Sequence, residues 1–134
     1  MMSLQERLAP ILRDVLPLDE EPDGGVTVRH DGTFASLRVV NIAEDLDLVS
    51  LTQVLAWDLP LTKKVGDLVA KHAHDTNFGA VILTEKAAAK RGQRKTADVM
   101  LRYNFPGAGL TDDALRTLIL LVLDTGAQIR RALL

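Results

Sequence analysis

Cysteine is absent from this chain, and aromatic residues make up only 4% of it. Without cysteine, disulfides, thiolate nucleophiles and cysteine-based metal sites are excluded. The longest unbroken apolar run, at positions 118–123, has six residues, whereas a membrane-spanning helix needs ~20. With so few rings, the core must be filled by leucine, valine, isoleucine and alanine. This composition predicts a soluble domain that does not enter a membrane.

A strong excess of positive charge is also missing. The chain has 16 Lys and Arg against 18 Asp and Glu, for a net charge of −2. This balance argues against nucleic-acid binding, which usually needs a strongly basic face. Positions 1–6 lack the basic-then-apolar pattern of a secretory signal. The length of 134 residues is typical of one domain, so we expect a single cytoplasmic domain spanning 1–134.

The first segment has the signals of a short helix. Ser3 followed by Glu6 forms a capping-box pattern, in which each side chain satisfies a backbone donor of the other residue. Pro10 inside this segment predicts a kink or a frayed start, and Pro17 is expected to end the helix. The next stretch, 18–25, is rich in acids with proline and glycine, and we predict a loop there.

Alternating and β-branched residues predict five strands, at 26–30, 34–42, 46–57, 78–84 and 97–105. Asp31-Gly32 favours a two-residue hairpin turn between the first two. Thr62 and Thr111 are expected to cap two further helices. The predicted order is therefore α-β-β-β-α-β-β-α, which is typical of an α+β domain: a five-stranded antiparallel sheet with helices packed on it.

The search for a metal site starts from three histidines in a chain without cysteine: His30, His72 and His74. A helical zinc pair needs a spacing of three or four residues, and His72 and His74 are two apart. His30 could approach one of them in space, with Asp31 or Asp75 as a third ligand. The poor spacing favours ordinary histidines, and we expect no metal and no cofactor.

Hydrolytic chemistry has no better support in the sequence. None of the three serines lies in a Gly-x-Ser-x-Gly elbow, and Ser3 is explained as a helix cap. The acid pair Asp112-Asp113 lies where a helix dipole favours negative charge, so it is explained without catalysis. We therefore expect no enzymatic activity.

A basic loop is the main candidate for an alternative function. Five positive charges fall within ten residues of the segment 86–95: Lys86, Lys90, Arg91, Arg94 and Lys95. Such a cluster can bind an acidic partner or nucleic acid with salt-dependent affinity. A solvated hairpin tip is the competing interpretation, because no aromatic residue is interleaved for base stacking.

The last helix carries more apolar surface than one contact can cover. A sheet-facing stripe is formed by Leu115, Leu118, Ile119, Val122 and Ile129. Leu120, Leu121 and Leu123 broaden that stripe around the helix, and each buried leucine is worth ~2 kcal/mol. Either the first helix covers these residues, or a second subunit or a bound peptide does.

The element order and several local features resemble the type III secretion chaperone-like fold, in particular YbjN-like proteins. Leu59-Pro60 ends a long strand directly before a helix, Asn77-Phe78 leads from that helix into a strand, and Thr111 opens a terminal helix with an aliphatic middle. The resemblance implies a homodimer that holds peptide or protein segments on apolar surface, without turnover and without nucleotide.

From the sequence pattern alone we predict the residues of two contact surfaces. Apolar residues predicted on one side of the third strand form the peptide-binding groove: Val49, Leu51, Leu55 and Trp57. The dimer contact is placed on the second helix at Val65, Leu68 and Val69, or on the last helix at Leu120 and Leu121.

Overall fold

A computed structural model describes residues 2–87 and 91–134 of the chain. Three helices and six strands follow one another in this part of the chain, and their bounds are α1 Leu4–Arg13, β1 Leu18–Glu20, β2 Val26–His30, β3 Thr33–Ala43, β4 Leu46–Pro60, α2 Lys63–Asp75, β5 Ala80–Lys86, β6 Thr96–Pro106 and α3 Asp112–Leu133. The strands form one antiparallel sheet in the order β1-β2-β3-β4-β6-β5. No helix in these two ranges is long and apolar enough to cross a membrane.

The predicted α+β class and antiparallel sheet are confirmed, but the predicted count of five strands and the element order are wrong. The additional strand is β1, which lies in the segment predicted to be a loop and pairs with β2 through Leu18↔Val28 and Glu20↔Val26. A strand of three residues with two acids has no alternation of its own. Its pairing is imposed by the neighbouring strand, so the local sequence could not reveal it.

The helix starts follow the predicted capping residues. The Oγ of Ser3 accepts the N–H of Glu6, and the Glu6 carboxylate accepts the N–H of Ser3, which completes the capping box. The hydroxyls of Thr62 and Thr111 accept N–H groups one turn into α2 and α3. Pro10 lies inside α1, which ends before Pro17 at Arg13.

One layer of helices covers only one face of the sheet. A single cluster of buried side chains joins residues of all three helices with the sheet, including Leu8 of α1, Val69 of α2 and Ile119 of α3. Helix α3 lies over β2, β3 and β4, while α1 and α2 pack against α3 and against opposite ends of the sheet. In the described part of the chain, no element packs on the other face, which we call the open face.

A bulge in β4 decides which side chains reach the open face. The pairing of β4 with β6 shifts its register between Val54 and Ala56, so Leu55 and Ala56 are both buried, at 0% and 3% exposure. Trp57 is turned to the opposite side and is 59% exposed. This corrects the expectation that Trp57 shares a side with Val49, Leu51 and Leu55, since a bulge breaks the two-residue alternation.

Candidate functional site

An apolar row crosses four strands of the open face. Directly opposed residues in the sheet register are Phe34 and Val54, Val54 and Met100, and Met100 and Ile82. Residues directly opposite in an antiparallel pair lie on the same face, so these four side chains form one continuous line, the apolar row. Phe34 is 52% exposed, and the other three are half-buried.

Trp57 extends this surface toward the β5 edge. The Lys86 ammonium lies 5.3 Å from the centre of its ring, a distance at which a cation is attracted to the π face. Because Lys86 lies four residues beyond Ile82 in β5 and therefore on the same face, this contact indicates that the Trp57 ring lies on the open face. Aromatic, methionine and arginine side chains are typical of protein interfaces, and this end of the face contains all three kinds.

A second apolar group lies at the other end of the same strands. Val40 opposes Leu48, and Leu48 opposes Pro106. Val40 is 44% exposed. Val54 lies six positions beyond Leu48 in β4, which corresponds to ~20 Å of extended chain. The open face therefore has apolar surface at two ends.

A polar belt separates these two apolar groups. Its first row contains Ser36, Thr52 and Arg102, and its second contains Arg38, Ser50 and Asn104, in each case in direct register. The Arg38 guanidinium donates to the Asp23 carboxylate. Arg102 is exposed, and it forms no ion pair or hydrogen bond through its side chain with any residue in the described ranges.

Lys86 is held by two carboxylates beside Trp57. Its Nζ lies 2.7 Å from Asp58 Oδ1 and 3.0 Å from Asp98 Oδ1. Asp98 is 5% exposed and also accepts the backbone N–H of Asp58 at 3.0 Å. The hydrogen bonds to Asp58 and then to Asp98 raise the pKa of Lys86 above its ordinary value. The positive charge of Lys86 is thus balanced by these two carboxylates within the fold.

Fewer charges of the predicted basic loop are exposed and unpaired than the sequence pattern indicated. Lys86 belongs to the cluster beside Trp57, and Lys90 lies outside the described residues. Arg91, Arg94 and Lys95 are exposed and form no ion pair with another described residue. The predicted cluster of five free charges is therefore three within the described chain.

The residues predicted to form a peptide groove do not share a surface. Val49, Leu51 and Leu55 are 0% exposed, because they point from β4 into the helix layer. Trp57 alone of the four is accessible. The sequence pattern placed the groove on the face of β4 that the chain covers with its own helices.

The residues predicted for a dimer contact are also largely covered. Val69 is buried, while Val65, Leu68 and Leu120 are half-buried and pack against the core. Leu121 remains 47% exposed. Leu68 lines a shallow depression of about 450 Å³ together with Lys63, Lys64, Asp67 and Lys71. Of the leucines that broaden the α3 stripe, Leu123 is fully buried within the chain.

One histidine lies in a cluster with two acids. The Nε2 of His30 is 2.6 Å from Asp124 Oδ1 and 3.7 Å from Asp31 Oδ2, and the three ligand atoms lie within 4.8 Å of one another. Arg131 approaches Asp31 at 3.9 Å. The His30–Asp124 contact fastens the β2–β3 turn to α3, so the cluster has a structural role in this fold. His74 instead contacts Asp75, at 3.1 Å.

The remaining candidates for chemistry have structural roles. Asp112 accepts from the Arg7 Nε at 3.0 Å, and Asp113 accepts from Arg116 at 2.9 Å. Both acids thus stabilise the start of α3 and its contact with neighbouring segments. Ser36 and Ser50 lie in the polar belt.

Sequence reasoning missed most of the open face. Phe34, Val54, Ile82, Met100 and Arg102 were read only as members of predicted strands. The available signal was the other side of the long strand, which carries Val54 together with Ser50 and Thr52. Apolar residues on both sides of a strand are typical of a central strand, which β4 is, and they do not show by themselves which side is uncovered.

No model of a known protein family matches this chain, and neither does any curated protein or solved structure with which it was compared. The resemblance to YbjN-like proteins therefore stays a hypothesis.

Proposed function

We propose that this chain is a non-enzymatic protein-binding domain, chaperone-like or adaptor-like, that binds a protein or peptide segment on its open face. The observation that supports this proposal is the apolar row beside Trp57 on a sheet face that the described chain leaves uncovered. Soluble proteins seldom expose contiguous apolar patches of this kind unless the patch contacts another molecule.

The shape of the surface favours a macromolecular partner over a small molecule. Small-molecule sites are concave and enclose most of their ligand, whereas the open face is a sheet surface. The strand lengths, at ~3.3 Å per residue and ~4.8 Å between strands, give the face an outline of roughly 800 Å². This area is comparable with the ~800 Å² that each partner contributes to a standard protein interface.

We further propose that the domain acts as a homodimer through its helix layer. Leu121 on α3 and the half-buried Leu68 on α2 support this contact, since both are apolar and at least partly accessible. Light scattering at micromolar concentration tests it: we expect a dimer for the native chain and a monomer for Leu121→Lys. A native chain that is already monomeric at this concentration excludes the dimer without affecting the open face.

The binding proposal is tested by affinity capture with matched variants. The native chain, the double variant Val54→Lys/Met100→Lys on the open face and the control Gln128→Lys at an exposed position of α3 are immobilised and exposed to native cell extract. We expect a reproducible set of captured proteins that is lost with the double variant and retained with the control. An identical set for all three forms contradicts binding through the open face.

The basic loop supports a second candidate function. Arg91, Arg94 and Lys95 are exposed and unpaired within the described ranges, so an acidic protein or a nucleic acid is the alternative partner. The variant Arg91→Glu/Arg94→Glu/Lys95→Glu should abolish such binding and flatten its salt dependence. Unchanged binding of an oligonucleotide or acidic peptide by the variant removes this candidate.

A further inference from the structure

Arg102 has no partner in the part of the chain that the structure describes, although it lies in the middle of the open face. Its position in the register is between Thr52 on β4 and Ala80 on β5. The next residues in its row are thus a hydroxyl and a methyl group, neither of which neutralises a guanidinium. Any protein that covers this face has to accommodate that charge, because burial of an unpaired cation is costly.

The acids of the open face are already committed to other cations. Asp19 lies 3.0 Å from Arg29, and Asp98 lies 3.0 Å from Lys86. These are the acids that the strand register of the described residues places on this face. Next to the face, in the 21–25 turn, Asp23 is paired with Arg38 and Glu21 accepts from the Thr27 hydroxyl at 3.0 Å. The strands of a second copy would therefore offer Arg102 no carboxylate that is free of a cation, and the second copy's own Arg102 would be buried as well. The charges favour a different, acidic partner.

The spacing along the strands indicates how such a partner is built. From the apolar row, the Arg102 row is two residues away, or ~7 Å, and the Val40–Leu48–Pro106 group is six residues away, or ~20 Å. A helix rises 5.4 Å per turn. A helix along the strands would thus place a carboxylate about one turn beyond its first apolar anchor and a second anchor ~13 residues along.

Resting on the proposed function, we infer that the open face binds an acidic amphipathic helix, with Asp or Glu paired to Arg102 and apolar side chains on the two apolar groups. The same sheet already packs helices on its covered face, and a helix on the open face would complete a three-layer α/β/α arrangement. The partner is defined by this pattern of apolar, acidic and apolar positions.

Trp57 provides the readout in the native protein. It is the only tryptophan of the chain and adjoins the apolar row. A partner that covers the open face should therefore shift the fluorescence emission of Trp57 to shorter wavelength. The probes are two synthetic 18-residue helical peptides with leucines at both ends of one face, which differ only in Glu or Gln at the position facing Arg102. We expect the Glu peptide to bind on the order of tenfold more tightly, as for a charge-assisted hydrogen bond.

Charge exchange at Arg102 supplies the decisive comparison. Arg102→Gln should remove the preference for the Glu peptide, and Arg102→Glu should bind a third peptide, with Lys at that position, better than the Glu peptide. The matched control is Arg131→Gln, which removes an exposed arginine from α3 in the helix layer and should leave the preference unchanged.

Three outcomes overturn the inference. Equal affinity for the Glu and Gln peptides in the native chain, with both lost in Val54→Lys, removes the acidic partner but leaves protein binding on the open face. Failure of every peptide to shift Trp57 emission removes the helical occupant. A blue shift that grows with protein concentration in the absence of peptide shows a second copy on this face instead.

Discussion

The contact between Gln53 and Gly126 is the feature of the core that is most sensitive to a single methyl group. Gln53 is 0% exposed and lies on the covered side of β4. Its Nε2 donates to Thr33 Oγ1 at 2.9 Å and to the Leu123 carbonyl at 3.0 Å. Gly126, one turn beyond Leu123 on α3, has no side chain, and the glutamine amide occupies the space that a Cβ would fill.

We predict that Gly126→Ala strongly destabilises the fold. The new Cβ would lie 2.7 Å from the Gln53 Nε2 and nearer still to the rest of its amide, so the side chain must leave its position. Two hydrogen bonds are then lost, each worth ~1 kcal/mol, and the overfilled core costs a further ~1–3 kcal/mol. The higher helix propensity of alanine than of glycine offsets ~1 kcal/mol of this destabilisation. The free energy of unfolding should fall by ~2–4 kcal/mol.

Urea denaturation followed by circular dichroism measures this change. Gly66→Ala is the matched control, because Gly66 also lies in a helix but a Cβ there meets nothing within 4 Å. It should raise the free energy of unfolding by ~0.5–1 kcal/mol. The double variant Gln53→Ala/Gly126→Ala should be less destabilised than the sum of its single changes. A stabilising Gly126→Ala would refute the described packing of α3 on β4.

Three further predictions concern the faces of the sheet and the first helix. Leu37→Ala should lower the free energy of unfolding by ~2–5 kcal/mol, and Phe34→Ala on the open face by less than ~1 kcal/mol, in the same denaturation assay; equal losses contradict an uncovered face. Arg7→Met should cost ~1–3 kcal/mol, because the Arg7 guanidinium donates to the Leu110 carbonyl at 2.6 Å and to Asp112 at 3.0 Å; unchanged melting would argue against this link. Hydrogen bonds from the side chain and then the backbone of Ser3 lower the pKa of Glu6, so their stabilisation is present above the unfolded-state pKa of Glu6 and is lost as the pH falls through its folded-state pKa. Thermal melts should therefore show that Glu6→Gln is less stable than the native chain at neutral pH but not in acid. A difference in melting temperature that does not change with pH contradicts this prediction.

Local signals in the sequence were sufficient for most elements. Ser3, Thr62 and Thr111 cap the three helices as predicted, because a capping hydroxyl acts within its own turn. The Asp31-Gly32 turn has φ values of 46° and 81°, which suit the two-residue hairpin that this dipeptide favours. Such features depend on neighbours in the chain, and for that reason they were readable.

Features that depend on residues distant in the chain could not be predicted from local signals in the sequence. β1 exists because β2 lies beside it, and Trp57 reaches the open face because β4 shifts its register against β6. The choice between the two apolar sides of β4 depends on where α3 packs, and the packing of α3 includes a contact between Gln53 and Gly126 across 73 positions. The predicted groove therefore lies on the covered face of β4, opposite the candidate site on the open face.

The central claim is that the open face is the binding surface, and hydroxyl-radical footprinting of the native chain with a captured partner tests it most directly. Trp57 and Met100 report on the open face, while Met2, which is 53% exposed and precedes α1, reports on the rest of the surface. We predict that the partner slows oxidation of Trp57 and Met100 and leaves Met2 unchanged. Unchanged oxidation of Trp57 and Met100 in the bound protein would contradict the account.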